Sequence, residues 1–199
     1  MLQLAAECII GLDLAGLVKN PSGVAVLTEK NVQASLVHSD SEILEIIEEH
    51  KPVLVAIDAP LNEPKNGFSR TVDRQMLRCG YKVFPPNFMH MRQLTLRAVH
   101  LNRQISQRAY RTIEVHPTSS RKALQIFPLK EWATVQQTLR QIGLKGDLEK
   151  RKLSTHELDA VTAALTARLY LENQTEQIGD QQEGYITVPK KRDWGNLKI

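Results

Sequence analysis

Cys8-Ile-Ile-Gly-Leu-Asp13-Leu-Ala-Gly16 and Val53-Leu-Val-Ala-Ile-Asp58-Ala-Pro60 are two apolar runs, each interrupted by an aspartate at its end. Their length, their continuous apolar character and the Gly or Pro that bounds them predict a buried strand at 7–14 and a central strand at 53–57 that is buried on both faces. Residues 16–23 carry Asn-Pro and Ser-Gly breakers and read as a turn. Val24 to Thr28 and Val32 to His38 read as further strands about a tight Lys30-Asn31 turn, which makes the opening an antiparallel meander of three. Ser39 and Glu42 then have capping-box spacing, and Ile43, Leu44, Ile46 and Ile47 give the next segment a helical apolar face. A helix before 53–57 lets the chain return, so this strand is expected to run parallel to the first. Asp13 and Asp58 would then share one sheet edge, the edge at which α/β sheets bind ligands.

Residues 60–110, rich in Pro, Arg and Gln, read as an insertion beside that edge, with helical pieces near 69–79 and 91–109. Arg111 to His116 predicts a fifth strand, 129–142 a helix stopped by Gly143, and 144–153 a charged loop. The last helix starts at Ser154, where Ser154 and Glu157 form a second capping box. Leu158, Val161, Leu165 and Leu169 form its apolar stripe, with Ala160, Ala163, Ala164 and Ala167 small enough for close packing. Tyr185 to Val188 predicts one more strand. The pattern implies an α/β fold: a mixed five-stranded sheet with helices on both faces, one domain over 1–199, and a basic helical insertion at about 60–110 after strand four.

Asp159 opens the apolar part of the last helix and flanks its stripe, so it can reach across the sheet edge. Aspartate is seldom buried unless paired, and two carboxylates about 4 Å apart repel by roughly 4 kcal/mol at an effective dielectric near 20. If Asp13, Asp58 and Asp159 converge they need a positive partner, and hard carboxylate oxygens suit Mg²⁺ or Mn²⁺. Two such ions would clamp the attacking water and the leaving oxygen of a phosphodiester. His156, three residues before Asp159, is placed to orient water or receive a proton. Glu157 turns to the other side and completes the cap. Glu114 is either a fourth metal ligand or the partner of Arg111, and His116 reads as a strand-end hydrogen bonder. Each aspartate alone also fits a turn cap or a helix N-terminus; the three together favour a metal site.

The net charge of +4 is unevenly spread. No acidic residue lies between Asp73 and Glu114, an interval holding Arg74, Arg78, Lys82, Arg92, Arg97, Arg103, Arg108 and Arg111, so the remainder is net acidic. Arg70, Arg74 and Arg78 are spaced i, i+4, i+8 and are candidates for a phosphate clamp. Tyr81, Phe84 and Phe88 are either packing residues or base-stacking ones. A local basic block points to nucleic acid as partner. Two cysteines, Cys8 and Cys79, are too few for a disulfide framework or a zinc ribbon and fit buried or half-buried thiols in a reducing cytoplasm. Residues 1–17 are mostly apolar, yet no Lys or Arg precedes Lys19 and Glu7 and Asp13 interrupt them, which argues against a signal peptide. No apolar run is long enough to span a membrane.

Several of these motifs recur together elsewhere. Asp13-Leu-Ala-Gly16, Ile57-Asp58-Ala-Pro60, Arg70-x-x-Asp73-Arg74, Val83-Phe-Pro-Pro86, Glu114-Val-His-Pro117, Asp159-Ala-x-x-Ala-Ala-Leu-Thr-Ala and Glu183-Gly-Tyr-Ile-x-Val-Pro189, in that order, resemble the predicted nucleases grouped as domain of unknown function 429. The resemblance spans nearly the whole chain. It implies an RNase H-like fold with strand order 3-2-1-4-5, and it carries Asp13, Asp58 and Asp159 over as catalytic carboxylates. His156-x-x-Asp159 is also similar to the last helix of RuvC-type Holliday-junction resolvases. Where many RNase H-like nucleases place a glutamate as second acid, this chain has the shorter Asp58.

The leading expectation is a metal-dependent nuclease acting on DNA or RNA with Mg²⁺ or Mn²⁺. A rival is a non-catalytic nucleic-acid binder of the same fold. A third is a nucleotide-binding phosphotransferase of the actin and sugar-kinase superfamily, because Asp13-Leu-Ala-Gly16 with Lys19 looks like a phosphate-binding hairpin; the second glycine-rich loop of that superfamily has no counterpart here.

Overall fold

A computed structural model describes residues 7–197 and 199. The opening meander is β1 (Cys8–Asp13), β2 (Ser22–Thr28) and β3 (Asn31–Val37), followed by α1 (Asp40–His50) and β4 (Leu54–Asp58). The insertion holds α2 (Thr71–Arg78) and α3 (Arg92–Gln107). Then come β5 (Thr112–Val115), α4 (Pro117–Ala123), α5 (Trp132–Ile142), a short β6 (Lys145–Gly146), α6 (Asp147–Lys150), α7 (Thr155–Leu171), β7 (Thr175–Asp180) and β8 (Gly184–Pro189). Residues 1–6, on which the reading against a signal peptide partly rests, lie outside the described residues.

The strands form one sheet in the order β6-β3-β2-β1-β4-β5-β8-β7. Its centre, β3-β2-β1-β4-β5, has β2 antiparallel to both neighbours and β4 parallel to β1 and β5. That is the order and direction expected of an RNase H-like fold. Three strands extend it. β8 docks parallel on β5 and β7 closes the edge antiparallel to β8, while β6 pairs with β3 inside the segment read as a loop.

Alternation along the strands assigns the faces. Ile9, Ala25, Leu27, Leu54 and Ala56 point to the side covered by α4, α5 and α7, whereas Ile10, Leu12, Val24, Val55 and Ile57 point to the side covered by α1 and α3. By the same period of two, Asp13 and Asp58 belong with Ile9 and Ala56, on the α7 side. The odd and even positions of β5 divide likewise: Ile113 and Val115 join the α7 core, which turns Glu114 to the opposite face.

α7 reaches the sheet more closely than large side chains would allow. A Cβ on Gly11 would collide with the carbonyl oxygen of Ala160, and one on Gly23 with that of His156. These two glycines set the height of α7 over β1 and β2, and with it the positions of His156 and Asp159. Gly23→Ala is expected to lower stability by about 1–3 kcal/mol, the usual scale of overpacking, measured by urea unfolding; a change within error would mean that α7 has room to move.

Of the two thiols, Cys8 is half-buried, but Cys79 is exposed at the end of α2, contrary to expectation, because α2 presents its last turn to solvent. Among the described residues, no helix is long and apolar enough to cross a membrane.

Candidate carboxylate site

Asp13 and Asp58 are the last residues of β1 and β4 and lie side by side in register. Asp159 enters from the second turn of α7, whose start is fixed by Ser154: its hydroxyl accepts the Glu157 N–H and Glu157 accepts the Ser154 N–H in return. Glu157 is occupied fully by this cap and by Arg151, 2.6 Å from its second oxygen. The three aspartates are all partly shielded from water. Burial, then Asp13, then Asp159 push the Asp58 carboxyl well above its ordinary range. Burial likewise raises Asp159, against the pull of Arg121. The convergence is therefore electrostatically costly, which is the condition for cation binding.

Two basic side chains, His156 and Arg121, already touch the cluster. His156 Nδ1 donates to Asp13 Oδ2 at 2.6 Å, and this bond raises the imidazole pKa. Arg121 Nη1 donates to Asp159 Oδ1 at 2.5 Å. Arg121 was not singled out in the sequence. It lies on α4, which was also unforeseen, although Pro117 at the first helical position was a start signal. Its side chain is fully buried, lies over the Trp132 ring at 5.2 Å, and leaves Nε without a partner among the described residues.

Among the described residues, no group of three or more His, Cys, Asp or Glu side chains is already arranged as a metal cage. The donor chemistry nevertheless fits a hard divalent ion. Asp13 and Asp58 are adjacent carboxylates, and Asp58 accepts no hydrogen bond from the described residues. His156 and Arg121 each take one oxygen of their aspartates, leaving the other.

The remaining predicted residues are placed differently. Glu114 faces away from α7 and does not pair with Arg111. Its two oxygens are held by Arg70 Nη1 and Nη2 at 2.7 and 2.6 Å, and one also accepts the Leu61 N–H. Arg70 in turn reaches Asp73 at 2.8 Å and is 1% exposed. The spacing of Arg70, Arg74 and Arg78 suggested one helical face, but α2 begins only at Thr71, so Arg70 folds inward as its N-cap residue. Arg70 is thus a buried structural ion rather than a phosphate contact, and Glu114 is its partner rather than an available ligand. Arg74 and Arg78 are exposed on α2; Arg74 bonds to the Ser69 carbonyl and the Thr71 hydroxyl. Lys19 is exposed on the β1–β2 turn and enters no ion pair among the described residues.

Part of the basic block is neutralised at long range. Arg97 pairs with Asp40 and also donates to the carbonyls of Ala15 and His38, which fastens α3 to the loop after Asp13. Arg108 pairs with Glu48. His116, with Nδ1 2.7 Å from the Ser119 hydroxyl, is held to a pKa of about 4 by burial, with Arg121 adding to it, and is neutral at pH 7. Glu183 accepts the N–H groups of Lys65 and Thr71 and the Thr71 hydroxyl, which lower its pKa to about 2 and tie the β7–β8 turn to the insertion. Several motifs around the aspartates are thus the attachment points of the insertion.

A comparison with protein families matches residues 11–184 to a family described as "Protein of unknown function (DUF429)". No curated protein matches. Among solved structures, Thermus thermophilus RuvC in complex with a Holliday junction substrate is similar at 17% identity over 84% of this chain and 96% of that one, with a TM-score of 0.49. A second Thermus thermophilus RuvC structure is 18% identical over 83% and 96%, with a TM-score of 0.47.

Proposed function

The chain belongs to the DUF429 family, and we propose that this member is a metal-dependent nuclease hydrolysing phosphodiester bonds of DNA or RNA. The observation that carries the reading is the convergence of Asp13, Asp58 and Asp159, from two parallel strands and a helix, on one face and one edge of the sheet. A fold holds three carboxylates together at such electrostatic cost when a cation is meant to join them.

Asp13, Asp58 and Asp159 would hold Mg²⁺ or Mn²⁺, in the two-ion form suited to phosphodiesters, and the metal would supply Lewis-acid activation of water and neutralisation of phosphate charge. Asp58 contributes the oxygens least engaged by protein donors. Arg121 holds Asp159 in place and adds a fixed positive charge behind it. His156 orients Asp13 through Nδ1 and leaves Nε2 to exchange a proton with water or the leaving oxygen. The exposed Arg74 and Arg78 are the remaining candidates of the phosphate clamp.

The purified protein is expected to cleave labelled oligonucleotides with Mg²⁺ or Mn²⁺, to lose that activity in EDTA, and to lose it on Asp13→Asn. Undiminished cleavage by this variant would overturn the reading. Metal-independent binding with no cleavage would favour the non-catalytic nucleic-acid binder instead.

A further inference from the structure

The insertion sends large apolar side chains into solvent, and one of them, Phe84, shares a cavity lining with Asp13 and Asp58. Phe68 is 70% exposed, Phe84 67%, Phe88 46% and Met89 77%, whereas Tyr81 of the same stretch is buried in the core. The rings of Phe84 and Phe88 lie 16° from parallel with centroids 6.4 Å apart, and His90 meets Phe88 edge-on at 5.8 Å. The backbone holds them there: Phe88 N–H bonds to the Pro85 carbonyl, Met91 N–H to the Phe88 carbonyl, and Asn87 bonds to the carbonyls of Gly67 and Phe68. Phe84 also lines a cavity of about 200 Å³ together with Val83, Met91 and Leu94, with Asp13 and Asp58, and with the Arg70–Asp73–Glu114 cluster.

Lys82 and Arg92 flank the two rings in sequence, Arg92 donating to Asn87 Oδ1 at 3.4 Å, and Arg74 and Arg78 lie on α2 of the same insertion; all four are exposed and none is in an ion pair among the described residues. Apolar rings interleaved with unpaired cations complement a strand with accessible base faces and a charged backbone. A duplex offers the charge but keeps its base faces stacked.

We propose that Phe84 and Phe88 are a stacking platform for unpaired bases, and that the adjoining cavity receives one unstacked base, which brings its phosphodiester to the aspartates. The substrate class is nucleic acid with unpaired bases: single strands, or the unpaired segment of a larger structure. The assignment to cleavage rests on the nuclease reading above; the binding site does not.

The test is binding of fluorescein-labelled oligo-dT, oligo-U and a blunt duplex to the full chain in EDTA, with 2-aminopurine as a stacking reporter. The wild type is expected to favour the single strands and to change 2-aminopurine emission on binding. Phe84→Ala and Phe88→Ala are each expected to weaken single-strand binding on the order of 5- to 150-fold, the range for loss of one base–aromatic stack, to abolish the emission change and to leave duplex binding unaltered. Circular dichroism of each variant confirms that it is folded. Equal affinity for duplex and single strand, unaffected by either substitution, would overturn the proposal. So would a change of sedimenting mass in the variants without a change in binding, which would assign the rings to self-association. Single-strand binding through the rings with no cleavage under any metal would retain the platform and remove the nuclease reading. Metal-dependent cleavage of duplex indifferent to Phe84→Ala would do the reverse.

Discussion

Arg70→Ala is expected to destabilise the protein by about 3–5 kcal/mol, the scale observed when one partner of a buried ion pair is removed. Arg70 joins three parts of the fold: its own α2 through Asp73, β5 through Glu114, and, by way of Glu114, the chain after β4 at Leu61. Without the guanidinium, Glu114 and Asp73 face each other out of water. Burial already raises the Glu114 pKa, and Arg70 is the principal opposing influence. The variant must therefore protonate Glu114, admit water, or detach the insertion. Replacing Arg70, Asp73 and Glu114 together by apolar residues of similar volume is expected to recover much of the loss, since no uncompensated charge remains. Urea unfolding of the single and triple variants measures both. A loss below about 1 kcal/mol in Arg70→Ala would put the pair in the class of exposed ion pairs and would remove its role as the fastening of the insertion.

The contrast between Arg70 and the aspartates explains what could be read in the chain. Asp13 and Asp58 stand out because a polar residue ends an apolar run, and strand periodicity then gives both the same face. Position in the fold follows directly from local pattern. Arg70 looks like a surface residue because i, i+4, i+8 spacing was assigned to a helix that starts one residue later. Its partner, Glu114, is 44 residues away, and no local period reports such a contact. Arg121 is hidden for the same reason: its aspartate lies 38 residues on, and a short helix after His116-Pro117 carries no repeat by which to recognise it. β7 was missed because Thr-Glu-Gln-Ile-Gly-Asp has little apolar alternation. It is an edge strand, defined by its register with β8 rather than by burial. The centre of the sheet is thus legible from hydrophobic pattern, while the ion pairs that attach the insertion and complete the site arise from tertiary contact.

Asp58→Asn is expected to make the metal-free protein more stable while abolishing cleavage. Asp58 lies near both Asp13 and Asp159, and burial with these two charges lifts its pKa well above the ordinary value. The folded protein therefore keeps this proton to higher pH than the unfolded chain does. The associated stability is complete below the ordinary aspartate pKa of about 3.9, and it is lost as pH rises through the raised folded value. The amide has no proton to lose and no like-charge repulsion at any pH. Its advantage over wild type should be small near pH 4 and grow to about 1–3 kcal/mol at neutral pH, the scale of a poorly compensated buried polar group. Mg²⁺ or Mn²⁺ should reverse the order, because a ligand bound only by the folded state adds about 2.7 kcal/mol at one hundred times its Kd, and the variant has lost a ligand carboxylate. Thermal unfolding of both proteins from pH 4 to 8, with EDTA and with each metal, separates these contributions. A variant less stable than wild type in EDTA at pH 7 would mean that Asp58 is compensated within the protein, by Arg121 or a neighbour, and that the three carboxylates do not wait for a metal ion.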